Sequence, residues 1–324
     1  MIRFYRFILG FCFLVVSCAN DTTPRVDNVI PKINISHFDQ AFFDMDSNNL
    51  DIELLDLEER FPLFFSDSQS DEMIRSRYYD PEMRELEHSV DSVFAETESL
   101  DVELYKAFQY FYHYFPTSDS MELYTWISDF EYLDPVVVSG NTILVSLDMY
   151  LGKESQFYQT APDYLKESFD KGYLSSDVFY HYFAQHIPYP RENTLLASML
   201  YYGKIYYLCD LILPHINAHY KIAYTAEQFD WCNANEGLLW ASLIDQNVLF
   251  STDVQNKQRF IDEAPFSKFY SNFDQSSPGR VGRWLGWQII KSYTEAHPEI
   301  SLIELMQEQD AQKLLRESRY KPKH

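Results

Sequence analysis

The chain has 324 residues and a formal charge of −23, from 49 acidic against 26 basic side chains. That length suits one large domain or two ordinary ones, and the acidity disfavours nucleic acid and anionic head groups as partners of the bulk surface. An aromatic content of 17% argues against disorder and for a large, stiff core, while only nine glycines disfavour a turn-rich sandwich or a glycine-lined nucleotide fold.

The first eighteen residues read as an export signal. Arg3 and Arg6 precede the apolar run Phe7–Val16, which is too short for a stable transmembrane helix. Val15-Val16-Ser17-Cys18 then has the form of a lipobox, so residues 1–17 are expected to be a lipoprotein signal peptide and Cys18 a lipidated first residue carrying diacylglycerol and acyl chains. Removing Arg3 and Arg6 with the signal takes the charge from −23 to −25. Residues 18–32, with Pro24 and Pro31, are expected to be the lipidated cysteine and a polar tether. Residues 33–324 read as a single, mainly helical domain. Apart from the lipid no cofactor is expected, and the membrane is to be met through the anchor.

Ile33–Phe43 suggests a short strand or extended entry leading into a helix. Helical patterns follow at Leu50–Arg60 and Pro81–Phe94, where Pro81 suits a first turn capped by Asp80. Between Asp21 and Leu100 there are 20 acidic and six basic residues, mostly expected on solvated faces. Leu104–Phe115 is an aromatic helix ended by Pro116. Leu123–Ile127, Val136–Val138 and Thr142–Leu147, with a turn at Ser139-Gly140-Asn141, predict a small antiparallel sheet. From Asp163 onward the period is helical. Thr194–Leu213 is one apolar helix stopped by Pro214, and Thr225-Ala226-Glu227-Gln228 is a capping box opening a helix to about Phe250. Gly282–Ala296 is a third. The fold class is therefore mainly α with a small antiparallel sheet (α+β).

Candidate chemistry is sparse. His215 and His219 have the spacing of a zincin helix, but Ile216 stands where the general base should follow, so surface histidines are favoured over a metal pair. His181 and His186 are five apart and diverge on a helix. Cys209 and Cys232 could form a disulfide after export or stay as buried thiols; neither reading is favoured. Lys204 and Glu236 are lone charges on apolar helices, and a structural Lys204–Glu236 pairing is the economical expectation. Glu236 and Trp240 share a helix face. Gly203, costly by about 1 kcal/mol inside a helix, implies close packing, and Gly282 and Gly286 lie on one helix face that permits it. Arg280 and Arg283 oppose the macrodipole at a helix start, which calls for carboxylate or backbone partners elsewhere.

The lipobox, SLDMYLG (146–152), TLLASMLYYGKIYYLCDLILP (194–214), YTAEQFDWCNANEGLLW (224–240), APFSKF (264–269), SPGRVGRWLGWQIIKSY (277–293) and SRYKP (318–322) together resemble the gliding-motility lipoprotein GldB family of Bacteroidetes. The resemblance covers nearly the whole mature chain. It implies a periplasm-facing lipoprotein of the cell envelope, required for gliding, with partners in the gliding and type IX secretion apparatus. A more distant similarity is to predicted zinc peptidases carrying HExxH, a Glu-Gly helix, ExxxW and a GYxxGYxI segment. Here Tyr202 occupies the glutamate position before Gly203, Glu236–Trp240 matches ExxxW, Gly282–Ile289 resembles the last segment, and the region Val178–His186 lacks HExxH. That likeness implies a degenerate metallopeptidase-like scaffold without catalytic residues; the alternative is a metallohydrolase using His215, His219 and a carboxylate.

Overall fold

The computed structural model describes residues 23–65, 71–95, 97–130 and 135–323; the expected signal peptide and Cys18 lie outside them. Strand β1 (Ile33–His37) runs into helix α1 (Phe38–Phe43), followed by α2 (Leu50–Arg60), α3 (Asp71–Tyr79), α4 (Pro81–Val93) and α5 (Thr97–Tyr114). Strands β2 (Met121–Trp126), β3 (Val136–Ser139) and β4 (Thr142–Ser146) come next. The remainder is helical: α6 (Asp163–Lys166), α7 (Leu174–His186), α8 (Leu195–Ile212), α9 (Ala218–Lys221), α10 (Ala226–Ala234) and α11 (Glu236–Asp245). Helices α12 (Val254–Phe260), α13 (Val281–Ala296), α14 (Leu302–Gln307) and α15 (Ala311–Ser318) complete it. Among the described residues no helix is long and apolar enough to cross a membrane.

The sheet is four-stranded in the order β1-β2-β4-β3. Its hairpin β3–β4 is antiparallel, with Gly140 at φ +58° opening the two-residue loop, a conformation that suits glycine. The sheet as a whole is mixed, however, and not purely antiparallel: β1 and β4 both pair in parallel with β2. Among the described residues α1 to α5 lie between β1 and β2, and a parallel pair needs such a crossover. In β2, Met121, Leu123 and Thr125 are buried and alternate with half-buried neighbours.

Helix α8 joins two apolar clusters. Ile205, Leu208 and Cys209 face the cluster built on the sheet, α5 and α7, while Leu195, Met199 and Tyr206 face that of α13, with Trp284 and Trp287. A helix apolar on every side is a buried helix. Thr194 caps it by accepting from the Ala197 amide.

Two further expectations need correction. The tether is docked from Val26 onward: Val26 is buried, Gln109 donates to the Val29 carbonyl, and Lys32 Nζ donates to the Ser118 carbonyl. Its apolar Val26 and Val29 give it something to bury despite the two prolines. The helix expected from Thr225 to about Phe250 breaks at Asn235 (φ −117°, ψ 14°), whose Nδ2 donates to the Trp231 carbonyl at 2.8 Å. Asparagine competes for the helix's own backbone groups, and the chain restarts as α11.

Candidate functional site: a buried arginine–tyrosine cluster

Helices α7, α8 and α13 bring ionisable groups together, Arg283 buried and Asp177, Tyr180, Tyr202 and Arg280 half-buried. The entry to α13 places Arg280 in a left-handed conformation (φ 59°, ψ 23°), a strained setting for a side chain of this size. Its Nη1 pairs with Glu263 Oε1 at 2.8 Å and its Nη2 donates to the Ala223 carbonyl at 2.9 Å. One turn on, Arg283 is 8% exposed. Its Nε donates to the Ile261 carbonyl at 2.6 Å, Nη1 reaches the Tyr180 hydroxyl at 3.5 Å, and its guanidinium lies 4.1 Å from the centre of the Tyr202 ring. The two arginines thus have the carboxylate and backbone partners that their position at a helix N-terminus demands.

Asp177 on α7 belongs to the same neighbourhood. The Tyr150 hydroxyl donates to its Oδ2 at 2.9 Å. Burial pushes its carboxyl up to about 7, against the pull of the Tyr150 hydrogen bond and of Arg280. A carboxyl near neutrality among arginines and tyrosines can exchange a proton at physiological pH, the kind of group that marks functional clefts as well as structural networks. Sequence reasoning passed over Asp177, although it is the only carboxylate between Leu174 and Phe183.

Lys204 and Glu236 are both buried, at 3% and 5% exposure, but they do not pair with each other. Lys204 Nζ donates to the carbonyls of Met306 (3.2 Å) and Glu308 (2.8 Å), because α13 and not α11 is the main partner of α8 and the C-terminal end of α14 lies over the lysine. Burial brings the Lys204 ammonium down to about 8. Glu236 Oε1 instead accepts from the Tyr320 hydroxyl at 2.7 Å, and Trp240 meets the Tyr320 ring edge-on at 5.2 Å between centroids. The shared face of Glu236 and Trp240 therefore clasps the C-terminal SRYKP segment.

His215 Nε2 lies 3.1 Å from the Tyr110 hydroxyl, and His219 packs its ring on Tyr220. His186 stacks on Tyr182. Among the described residues no group of three or more His, Cys, Asp or Glu side chains is arranged to hold a metal ion. Cys209 and Cys232 are free, buried thiols, each pushed up by burial.

A second polar chain was invisible at the sequence level because its members lie far apart. His37 Nε2 faces Asp101 Oδ2 at 3.1 Å, and its Nδ1 lies 2.9 Å from the Thr125 hydroxyl oxygen, which donates in turn to Asp39 Oδ1 at 2.5 Å. The Asp-His-Thr order imitates a nucleophilic triad, but Thr125 is fully buried in β2 and its proton already serves Asp39. The chain fastens β1, α1 and α5 to β2.

Fold and site thus define a mainly helical protein with a small mixed sheet, in which the buried cations Arg283 and Lys204 are held by backbone carbonyls and, for Arg283, an aromatic ring. The model of the gliding motility protein GldB family matches residues 19–322, and the chain belongs to that lipoprotein family. Comparison with curated proteins and with solved structures returns no match.

Proposed function

We propose that the protein is a non-enzymatic lipoprotein, anchored through Cys18 and facing the periplasm, that serves gliding motility through contacts with proteins of the gliding and type IX secretion apparatus. Membership of the family over residues 19–322 supports the motility role. The non-enzymatic part rests on the Arg283–Tyr202 contact. Where the peptidase likeness requires a carboxylate ligand, Tyr202 is covered by a guanidinium held 4.1 Å from its ring. A cation there repels a second cation, and a phenol in place of a carboxylate is the weaker ligand for zinc. In this reading the protein keeps a degenerate peptidase-like scaffold for its packing.

The alternative, a zinc hydrolase using His215 and His219, is separated by metal analysis. Protein purified without chelator is expected to hold well under one zinc per chain. About one equivalent, lost in His215→Ala, would overturn the non-enzymatic reading.

A further inference from the structure

At the carboxyl ends of the parallel strands β1, β2 and β4 the fold leaves a cavity of about 350 Å³. Its walls include Phe38, Phe42, Phe64, Trp126, Ile127 and Leu144. Crevices at this end of parallel strands are where such sheets take ligands, and the volume is that of an ordinary ligand pocket. Phe38 and Phe64 are stacked with ring centres 3.8 Å apart, so part of the wall is a preformed aromatic plate. Leu63 and Met73 stand at the rim, 54% and 59% exposed.

Asp39 and Ile127 also line a second, adjoining cavity of about 270 Å³, whose other walls are Gln40, Asp44, Glu87 and Asp91. Four carboxylates here face one small space. Glu87 is 9% exposed; burial and a hydrogen bond shared with the Asp91 carboxyl push its own carboxyl up, while its Oε2 accepts no hydrogen bond and has only His88 Nδ1 at 3.7 Å and Arg84 Nη1 at 3.8 Å near it. The neighbouring arginines are committed to the walls. Arg77 donates to the Ile127 carbonyl at 2.6 Å, and Arg84 donates to the carbonyls of Phe43 and Tyr78 while lying 4.3 Å from the Tyr78 ring centre. A buried carboxylate oxygen without a donor is costly, and an incoming ammonium or guanidinium would satisfy it.

We propose that this two-chambered pocket is a docking socket for a basic partner polypeptide, taking one large apolar side chain in the phenyl chamber and an adjacent lysine or arginine among Asp39, Asp44, Glu87 and Asp91. The proposal rests on the reading that the protein works through protein contacts and names the chemistry of one such partner. Charge complementarity selects a polypeptide with that pattern: most of the walls come from the stretch Asp21–Leu100, with its 20 acidic and six basic residues, and a field of this sign steers basic segments. A large side chain in a desolvated pocket supplies the anchor, and the carboxylates supply orientation and selectivity.

The test uses the full-chain lipoprotein in nanodiscs and fluorescein-labelled Gly-Ser peptides with a central Phe-Lys, Phe-Glu, Phe-Ala or Ala-Lys pair, read by anisotropy. Phe-Lys is expected to bind, with Phe-Glu and Ala-Lys weaker by about tenfold or more. Met73→Trp, a change at an exposed rim position, should block the chamber and weaken Phe-Lys similarly. Asp91→Asn, also at an exposed residue, should weaken Phe-Lys and leave Phe-Ala unchanged. Equal binding of Phe-Glu, no binding of Phe-Lys, or indifference to Met73→Trp in a variant of normal circular dichroism overturns the socket. So does binding of dodecylammonium while Phe-Lys stays unbound, which would mark a site for small amphiphiles and not for a polypeptide. A negative result leaves the non-enzymatic reading standing, since that reading fails on metal content.

Discussion

Gly203 of α8 and Gly286 of α13 meet backbone to backbone: a Cβ on Gly203 would overlap the Gly286 carbonyl, and one on Gly286 would overlap the carbonyl of Met199. This crossing seats Trp284 and Trp287 in the second apolar cluster beside Tyr206. It also fixes the height at which Arg283 meets Tyr202. The two helices therefore set both the core and the arginine cluster.

Helix propensity alone predicts that Gly286→Ala stabilises α13 by about 1 kcal/mol. The crossing predicts the opposite sign, a loss of about 3 kcal/mol, because backbone atoms on α8 cannot rotate out of the way. Urea denaturation of Gly286→Ala decides it. A midpoint at or above that of the wild type would show that the helices slide apart at little cost.

The clasp between Glu236 and Tyr320 makes a second prediction. Tyr320→Phe leaves a buried carboxylate without its donor and is expected to cost about 3 kcal/mol; Glu236→Ala should cost about 2 kcal/mol. Because the pair shares one hydrogen bond, the double variant should fall short of the sum by about 1.5 kcal/mol or more. Single variants that add within about 0.5 kcal/mol would show that SRYKP is not held by this contact.

What could be read from the sequence was local. The caps at Asp80 and Thr225 depend on residues two or three apart and occur where their spacing places them. Gly203 and Gly286 betrayed a close helix approach because glycine inside a helix is costly without one. Partners distant in the chain were not legible. Glu236 meets a hydroxyl 84 residues away, and His37 joins groups 64 and 88 residues along. Lys204 and Glu236 looked like a pair because both were lone charges on apolar helices, but sequence cannot say that backbone carbonyls and a tyrosine satisfy them first. The parallel pairing of β1 escaped for the same reason, since register across α1 to α5 leaves no local mark.

Anchoring depends on a residue outside the described part of the chain and is checked chemically. Cys18→Ala is expected to abolish incorporation of labelled acyl chains and to leave unprocessed or released protein. A variant that still takes up labelled palmitate would remove Cys18 as the attachment point.

Asp177 predicts how stability depends on pH. Its carboxyl sits at about 7 in the folded protein, raised by burial from an ordinary value of 3.8. Between these values the folded state holds a proton that the unfolded state has released, so stability falls as pH rises through this window. The contribution is fully present below about pH 4 and is lost above about pH 7. Three units correspond to about 4 kcal/mol as an upper bound, and relaxation of Tyr150 and Arg280 around the charge will reduce it to roughly 2–4 kcal/mol. Asp177→Asn keeps an acceptor for the Tyr150 hydroxyl and cannot ionise. Its stability should therefore decline less between pH 4.5 and 8 and exceed that of the wild type at pH 8. Other carboxyls raised by burial, such as Asp148 and Asp39, titrate alike in both proteins, so the difference between two urea series isolates Asp177. Parallel pH profiles would show that Asp177 is ionised throughout and that Arg280, not burial, governs its charge.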